Sequence, residues 1–253
     1  MTTYPIVQAT KPLNWQAIAQ IAVHDNGEPL LALPLCSRIQ LIPTYFNQHI
    51  SGAINALVLR QTVAKKLQHA ATLLPDTLGL VVFDGWRPLC VQQALRDEIR
   101  QQIVAKHPKA DEVWIEARLD EFVANPNRHD MCPPHLTGGS VDVGLFHRAT
   151  GEVLDMGSAF DEAGHLSYTA ALENETDARL DAARQHRRIL AQWCRLVLPI
   201  SQPNGGILIL ATKIGHILAV RTGQSMAQRI GRTNLLFFNP TTRSTRNATY
   251  FCG

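Results

Sequence analysis

A histidine and an aspartate stand seven positions apart in the run Pro-Pro-His-Leu-Thr-Gly-Gly-Ser-Val-Asp, residues 133–142. The imidazole of His135 and the carboxylate of Asp142 are donors that zinc accepts, and a catalytic zinc site uses three protein ligands plus water. Gly138 and Gly139 would let the backbone turn tightly, so that both donors could reach one ion. A loop histidine near a solvated or capping carboxylate is the simpler interpretation of the same pair.

An arginine is the second candidate, in the run Asp-Gly-Trp-Arg-Pro at residues 84–88. A guanidinium delivered by a turn at the carboxyl end of a strand could stabilise the oxyanion that forms when water attacks a carbonyl. Alternatively, Arg87 lies near a helix start and binds backbone carbonyls or a neighbouring acid.

Two acids, Asp155 and Asp161, flank a glycine turn in a third motif. Capping of the turn by the carboxylates is one explanation for them. Binding of a substrate ammonium group is the other.

Helices must position these motifs. Three helices are predicted from apolar residues that recur at helical spacing. The predicted helical ranges are 57–74, 88–103 and 113–122. Pro88 suits the first turn of the second helix, where a missing N–H costs nothing.

Two strands are predicted beside the chemical motifs. Residues 78–83 form an apolar, β-branched run that ends at a turn, which is typical of a buried strand. From residue 140 onward polar and apolar residues alternate, so that one face of a strand is polar and the other lies in the core. Asp142 should then project from this strand into a cleft.

Together the three motifs, in this order, resemble the D-alanyl-D-alanine dipeptidases, zinc peptidases related to the vancomycin-resistance dipeptidase, over about residues 4–190. The resemblance implies an α+β fold with a central, mostly antiparallel sheet and helices on one side, as in D-Ala-D-Ala metallopeptidases and the hedgehog domain. It implies His135 and Asp142 as ligands of Zn²⁺, and Arg87 as the group that stabilises the transition state. It also implies a small D-dipeptide as substrate, with D-alanyl-D-alanine hydrolysed to two D-alanines.

The chain departs from this family near its C-terminus. The family closes its site with a Glu-Trp-Trp-His segment, whose glutamate is the general base and whose histidine is the third zinc ligand. Neither is identifiable here. Glu162 and His165 have a Glu-x-x-His spacing but read as a surface loop, and His216 lies in an apolar run where packing is the usual role.

A shifted reading frame would account for the loss. Codons that encode Pro199 to Gly215 can be chosen so that, read from the third base of each codon, they give D-F-P-T-E-W-W-H-F-D-F-G-N-Q-N-W. We therefore expect a zinc dipeptidase domain at residues 1–189 and an out-of-frame segment at 190–253 that replaces the end of the same domain. The alternative is a selected, divergent tail, in which residues 207–210 and 216–220 resemble the strands of a hairpin joined near 213–215.

Activity is accordingly expected to be impaired, because two ligands remain and the base is lost. Two rival functions are a cell-wall D,D- or L,D-peptidase and a non-catalytic remnant that binds metal or ligand weakly. The sequence gives no oligomeric state.

Composition sets the cellular expectations. With 45% hydrophobic and 18% charged residues and a net charge of +3, the chain has no dense basic stripe, and no nucleic-acid partner is expected. The first residues lack the pattern of a secretory signal and no run suits a membrane span, so no membrane partner and a cytoplasmic location are expected. Five widely spaced cysteines suit a reducing compartment better than a disulfide framework, and none forms the CxxC pair of a thiolate zinc cluster.

Overall fold

The chain adopts a mixed α+β fold in a computed structural model that describes residues 3–6, 27–128, 132–162, 164–197, 209–212 and 217–219. The strands are β1 (Leu30–Ala32), β2 (Ile39–Leu41), β3 (Val58–Arg60), β4 (Leu78–Asp84), β5 (Ser140–His147), β6 (Ile209–Thr212) and β7 (Ile217–Ala219). The helices are α1 (Thr44–Asn47), α2 (Gln61–Thr72), α3 (Leu89–Lys106), α4 (Glu112–Phe122) and α5 (Asp181–Val197).

The main sheet has the strand order β2-β4-β5-β6-β7. β2 pairs with β4 and β5 pairs with β6 in parallel, whereas the pairs β4–β5 and β6–β7 are antiparallel. The expectation of a mostly antiparallel sheet is therefore not confirmed, because parallel and antiparallel pairings occur equally often in it. β1 and β3 form a separate antiparallel pair.

The larger hydrophobic cluster lies on one face of this sheet. Alternate residues of β4 and β5 enter it, among them Val82 and Val143. Helix α2 contributes Leu67, and α5 contributes Leu190 and Trp193. The predicted alternation in β5 is thus confirmed, since its odd-numbered apolar residues face the core and Asp142 faces the other way.

The opposite face of the sheet carries a smaller cluster. It contains Val81 and Phe83 of β4, with Phe160 packed against them. Phe160 also packs against a neighbouring cluster that includes Tyr45 of α1 and Leu95 of α3. Helical residues therefore approach the sheet from this side as well, and the expected restriction of helices to one side is not confirmed.

Most predicted elements are confirmed with small boundary changes. The exception is the helix predicted at 57–74, because residues 58–60 form β3 and the helix begins at Gln61. Val58 and Leu59 are as well suited to a strand as to a helix, and pairing of Leu59 with Leu31 in β1 decides for the strand.

Strands β6 and β7 overlap the two ranges predicted for a C-terminal hairpin. They are joined to the sheet by backbone pairing, with Ile209 opposite Ser140 of β5 and opposite Ala219 of β7. The expected connection at 213–215 and His216 lie outside the described residues. No helix in the described part of the chain is long and apolar enough to cross a membrane.

The cysteines depart from expectation at one position. Cys36 and Cys132 are free thiols, but Cys90 is disulfide-bonded.

Candidate active site

The ends of β4 and β5 bring two carboxylates together. Asp84 pairs directly with Asp142, but the register shifts between Val82 and Asp84. Val82 faces the larger core cluster, so regular alternation would turn Asp84 toward that face too. The irregularity instead redirects Asp84 to the side of Asp142, as bulges beside functional sites do. Both side chains are buried.

A short 3-10 turn at Pro134–Thr137 carries His135 and ends at Gly138, whose φ of 70° is left-handed. A Cβ at Gly138 would lie 2.3 Å from Leu30, so glycine is required there, as predicted. Arg60 fixes the same turn by donating from Nε to the carbonyl of Thr137 at 2.9 Å.

The two ring nitrogens of His135 face different neighbours. Nδ1 lies 2.8 Å from the carbonyl oxygen of Gly85 and 3.0 Å from Oδ2 of Asp84. Nε2 lies 3.1 Å from Oγ of Ser140 and 3.5 Å from Oδ1 of Asp142. Burial alone would lower the pKa of His135, but the Asp142 and Asp84 carboxylates outweigh burial and raise it to about 9.

Asp142 holds an oxygen that suits a cation. Its Oδ1 is buried and makes no hydrogen bond to the described residues. Two ligand atoms about 2.1 Å from a tetrahedral zinc ion would lie roughly 3.4 Å apart, close to the 3.5 Å between this oxygen and Nε2 of His135. The spacing of these two side chains therefore fits a single metal ion of this size.

Arg87 is buried beside this pair and is held on every side. It donates from Nε and Nη2 to Oδ2 of Asp84 at 3.0 and 2.8 Å, from Nη1 to Gln92 at 2.7 Å and from Nη2 to the hydroxyl of Tyr45 at 3.0 Å. Its Nη2 is 3.9 Å from Oδ2 of Asp142. Burial alone would lower the pKa of Arg87, but Tyr45, Asp84 and Asp142 raise it further above its usual value.

The two acids of the third motif, Asp155 and Asp161, make different hydrogen bonds. Asp155 is exposed and accepts a hydrogen bond from the backbone of Gly157 at 2.8 Å, which is the turn-capping role. Asp161 has a left-handed φ of 57° and accepts a hydrogen bond from the hydroxyl of Tyr45 at 2.7 Å. Removal of its carboxylate from water and the nearby charge of Asp142 raise the pKa of Asp161 to about 6.

The loop that carries Asp161 is fixed by Arg187 of α5. This arginine is 1% exposed and donates to three backbone carbonyls, those of Met156, Leu166 and Tyr168. Burial lowers the pKa of Arg187 to about 10. The loop is therefore attached to the helix through its backbone.

The structure brings His135, Asp142 and Arg87 together as expected. Asp84 belongs to the same possible metal-binding group, in which ligand atoms lie within 4.8 Å of one another, and the sequence assigned it no role. Neither Glu162 nor His165 joins that group within the described chain. Glu162 accepts from the backbone of Ala159 in its own loop, and the side chain of His165 is 75% exposed.

Tyr45 and Gln92 were also missed by sequence reasoning. Gln92 does lie five residues after Arg87 in the adjoining helix, a spacing that could have indicated contact. Nothing in the sequence around Tyr45 indicated its position, because it lies 42 residues before Arg87.

Comparison with known proteins points to the same region. The family model described as D-ala-D-ala dipeptidase matches residues 47–193, which include every side chain of the site except Tyr45. A D-alanyl-D-alanine dipeptidase from Synechocystis sp. is 30% identical over 185 residues, covering 66% of this chain and 74% of the relative. The chain therefore belongs to the D-Ala-D-Ala dipeptidase family of peptidases.

Proposed function

We propose that this chain carries the site of a zinc-dependent D-alanyl-D-alanine dipeptidase, with His135 and Asp142 as zinc ligands and Arg87 as the group that stabilises the transition state. The observation that carries the proposal is the close approach of Nε2 of His135 to Oδ1 of Asp142, an oxygen that accepts no hydrogen bond from the described residues, beside a buried guanidinium. A buried carboxylate oxygen without a partner is costly unless a cation completes it.

A zinc ion at this place would supply Lewis acidity and lower the pKa of a water molecule. Arg87 would contribute a fixed positive charge. Four of the five N–H groups of a guanidinium are engaged by Asp84, Gln92 and Tyr45, so the group cannot rotate freely. A preoriented charge stabilises a developing oxyanion without reorganisation during the reaction.

Two further features favour a small dipeptide as substrate. A small pocket beside Arg87 is lined by apolar residues such as Ala53, Ile54 and Trp86, which suit methyl side chains. The carboxylate of Asp161 is available, when ionised, to attract the ammonium group of a dipeptide. Release of D-alanine in the cytoplasm is the role we propose for an intact enzyme of this kind.

We further propose that activity of this chain is severely impaired and that residues 190–253 are an out-of-frame replacement of the end of the domain. The register of β6 indicates where the replaced segment would lie. β6 runs parallel to β5 and begins opposite Ser140. The shifted reading places Glu-Trp-Trp-His across residues 203–207, only a few positions before Ile209. In a chain with that segment, the glutamate and histidine would lie near the start of β5, beside the site.

A zinc titration and a turnover assay test the two parts separately. The full-length chain, loaded with zinc, should release no D-alanine from D-alanyl-D-alanine above a chelator-treated control. It should nevertheless bind zinc, and His135→Ala should weaken that binding strongly. Robust turnover would overturn the proposed impairment. Zinc binding that is equally tight in the unaltered chain and in His135→Ala would overturn the proposed site. Codons incompatible with the shifted peptide would exclude the frame hypothesis.

A non-catalytic protein that binds a metal or a ligand is the second candidate. The same missing glutamate and histidine favour it. The two candidates differ in a turnover assay of the repaired chain, because only the first predicts that repair of the tail produces hydrolysis of D-alanyl-D-alanine.

A further inference from the structure

Asp84 and Asp142 lie on opposite nitrogens of one imidazole. The distance from Asp84 Oδ2 to Nδ1 of His135 is 3.0 Å, and Asp142 Oδ1 is 3.5 Å from Nε2. Because a carboxylate oxygen of Asp84 lies close to ligand atoms of His135 and Asp142, Asp84 could be taken for the third ligand of one metal ion. Asp84, however, approaches Nδ1, the ring nitrogen opposite to the Nε2 that would hold an ion together with Asp142.

The hydrogen on Nδ1 can be assigned from its neighbour. The Gly85 carbonyl oxygen, 2.8 Å away, can only accept a hydrogen bond, so Nδ1 must be the donor. This leaves Nε2 as the nitrogen that can bind a metal. A metal-binding histidine commonly donates its other N–H to a carboxylate or carbonyl, which fixes the ring and increases its basicity.

The same carboxylate oxygen also holds the arginine. Oδ2 of Asp84 accepts both Nε–H and Nη2–H of Arg87, at 3.0 and 2.8 Å. One buried oxygen of Asp84 thus contacts both the imidazole of His135 and the guanidinium of Arg87. The backbone amide of Arg87 in turn donates to the carbonyl of His135 at 3.1 Å, which ties the two residues together again.

We propose that Asp84 is a positioning residue that orients His135 for the metal and Arg87 for the oxyanion, and that it is not a zinc ligand. This inference rests on the proposed zinc site for its metal-binding part. Its hydrogen-bonding part concerns the metal-free chain as well, so the two can fail separately.

Asp84→Asn is the informative variant, because it keeps the size of the side chain and removes the charge. Zinc and Co²⁺ affinity of the full-length chain should fall by about 10–100-fold, the usual effect of losing an outer-shell partner. The Co²⁺ absorption bands should keep their positions, since the ligand set is unchanged. The Nδ1–H proton of His135 should move upfield in the NMR spectrum of the metal-free chain, because the anionic acceptor is lost.

Asp76→Asn is the matched control, since Asp76 is exposed and pairs with Arg38 away from the site. It should change neither the metal affinity nor the Nδ1–H resonance. Changed Co²⁺ bands in Asp84→Asn would show that Asp84 is a ligand and would overturn the proposal. An unchanged affinity together with an unmoved Nδ1–H resonance would overturn it as well.

Two measurements on the unaltered chain keep the proposal testable if Asp84→Asn does not fold. Zinc should shift the ¹⁵N resonance of Nε2 and leave the proton on Nδ1, and zinc on Nδ1 would contradict the assignment. If the unaltered chain binds no zinc, the proposed function fails, and an Nδ1–H proton at the shift of a free imidazole would then still disprove the hydrogen bond to Asp84.

Discussion

Two neighbouring parts of the same sheet are held in different ways. At the ends of β4 and β5 the side chains of Asp84, His135 and Arg87 are fixed by specific hydrogen bonds to one another. On the other side of β5, β6 is joined through backbone pairing. Backbone ladders accept many sequences because every residue supplies the same N–H and C=O groups. A strand can therefore complete a sheet without completing a site, and the presence of β6 and β7 does not distinguish a selected tail from an out-of-frame one.

Repair of the tail should produce the largest effect. We expect a chain in which residues 190–253 are replaced by the shifted reading to hydrolyse D-alanyl-D-alanine, because the general base and the third ligand return. A general base alone contributes roughly 10²–10⁴-fold to a rate. D-Alanine release is the measurement. The same graft with glutamine in place of the restored glutamate is the control and should stay inactive, while an inactive graft that folds and binds zinc would contradict the shifted frame.

Removal of a proposed ligand should have the next largest effect. His135→Ala should weaken zinc binding to the present chain by more than the roughly 10–100-fold that loss of an outer-shell partner costs. Isothermal titration with zinc measures this. His165→Ala is the matched control, because that imidazole is mostly exposed and lies outside the possible metal-binding group. Equal losses in the two variants would show that the site does not depend on His135.

Trp193 is the last residue that the family model matches, and substituting it tests whether α5 packs on α2 at this position. Its side chain is 2% exposed and its indole N–H donates to the carbonyl of Ala70 in α2. Trp193→Phe should lower the free energy of unfolding by about 1 kcal/mol or more, because the buried carbonyl loses its partner. Chemical denaturation measures the difference. Trp114→Phe, at a position that is 43% exposed, should change stability by less; the reverse order would mean that α5 does not pack on α2 in solution.

The smallest expected effect is a pH dependence at Asp161. Its pKa in the folded chain is about 6, above the ordinary value of 3.8, so the folded state binds the proton more tightly than the unfolded state does. The stabilisation is complete below pH 3.8 and is lost as the pH rises through 6. The titratable groups that act on this carboxylate are the same in the unaltered chain and in the Asp161→Asn variant. They are Tyr45, Arg87, Asp84 and Asp142.

Thermal unfolding of the unaltered chain and of Asp161→Asn should therefore diverge between pH 4 and 7, with the unaltered chain losing stability relative to the variant as the pH rises. The Asp161 residue as a whole is exposed although its carboxylate is hydrogen-bonded to Tyr45, and solvent screens the charge, so the difference should be small. Asp155→Asn is the control, since that carboxylate caps a turn, and its stability difference from the unaltered chain should not follow the same curve.

The sequence predicted which residues lie together better than it predicted the sheet. The direction of Asp142 follows from a local pattern, because an alternating strand fixes the directions of its side chains, and the family resemblance implied that His135 and Arg87 lie beside it. The parallel pairing of β2 with β4 could not be read in the same way, because strand order depends on contacts between distant segments. Asp84 was missed for a local reason: a register shift redirects it, and regular alternation would have turned it into the core.

Arg187 has a consequence for the order in which this protein is made. The loop that presents Asp161 emerges from the ribosome before the guanidinium that anchors it at Met156, Leu166 and Tyr168. These three hydrogen bonds can form only after Arg187 has been made, and Arg187 precedes residue 190. A chain whose reading frame changes after residue 187 therefore still contains the arginine that holds the loop of Asp161 in place.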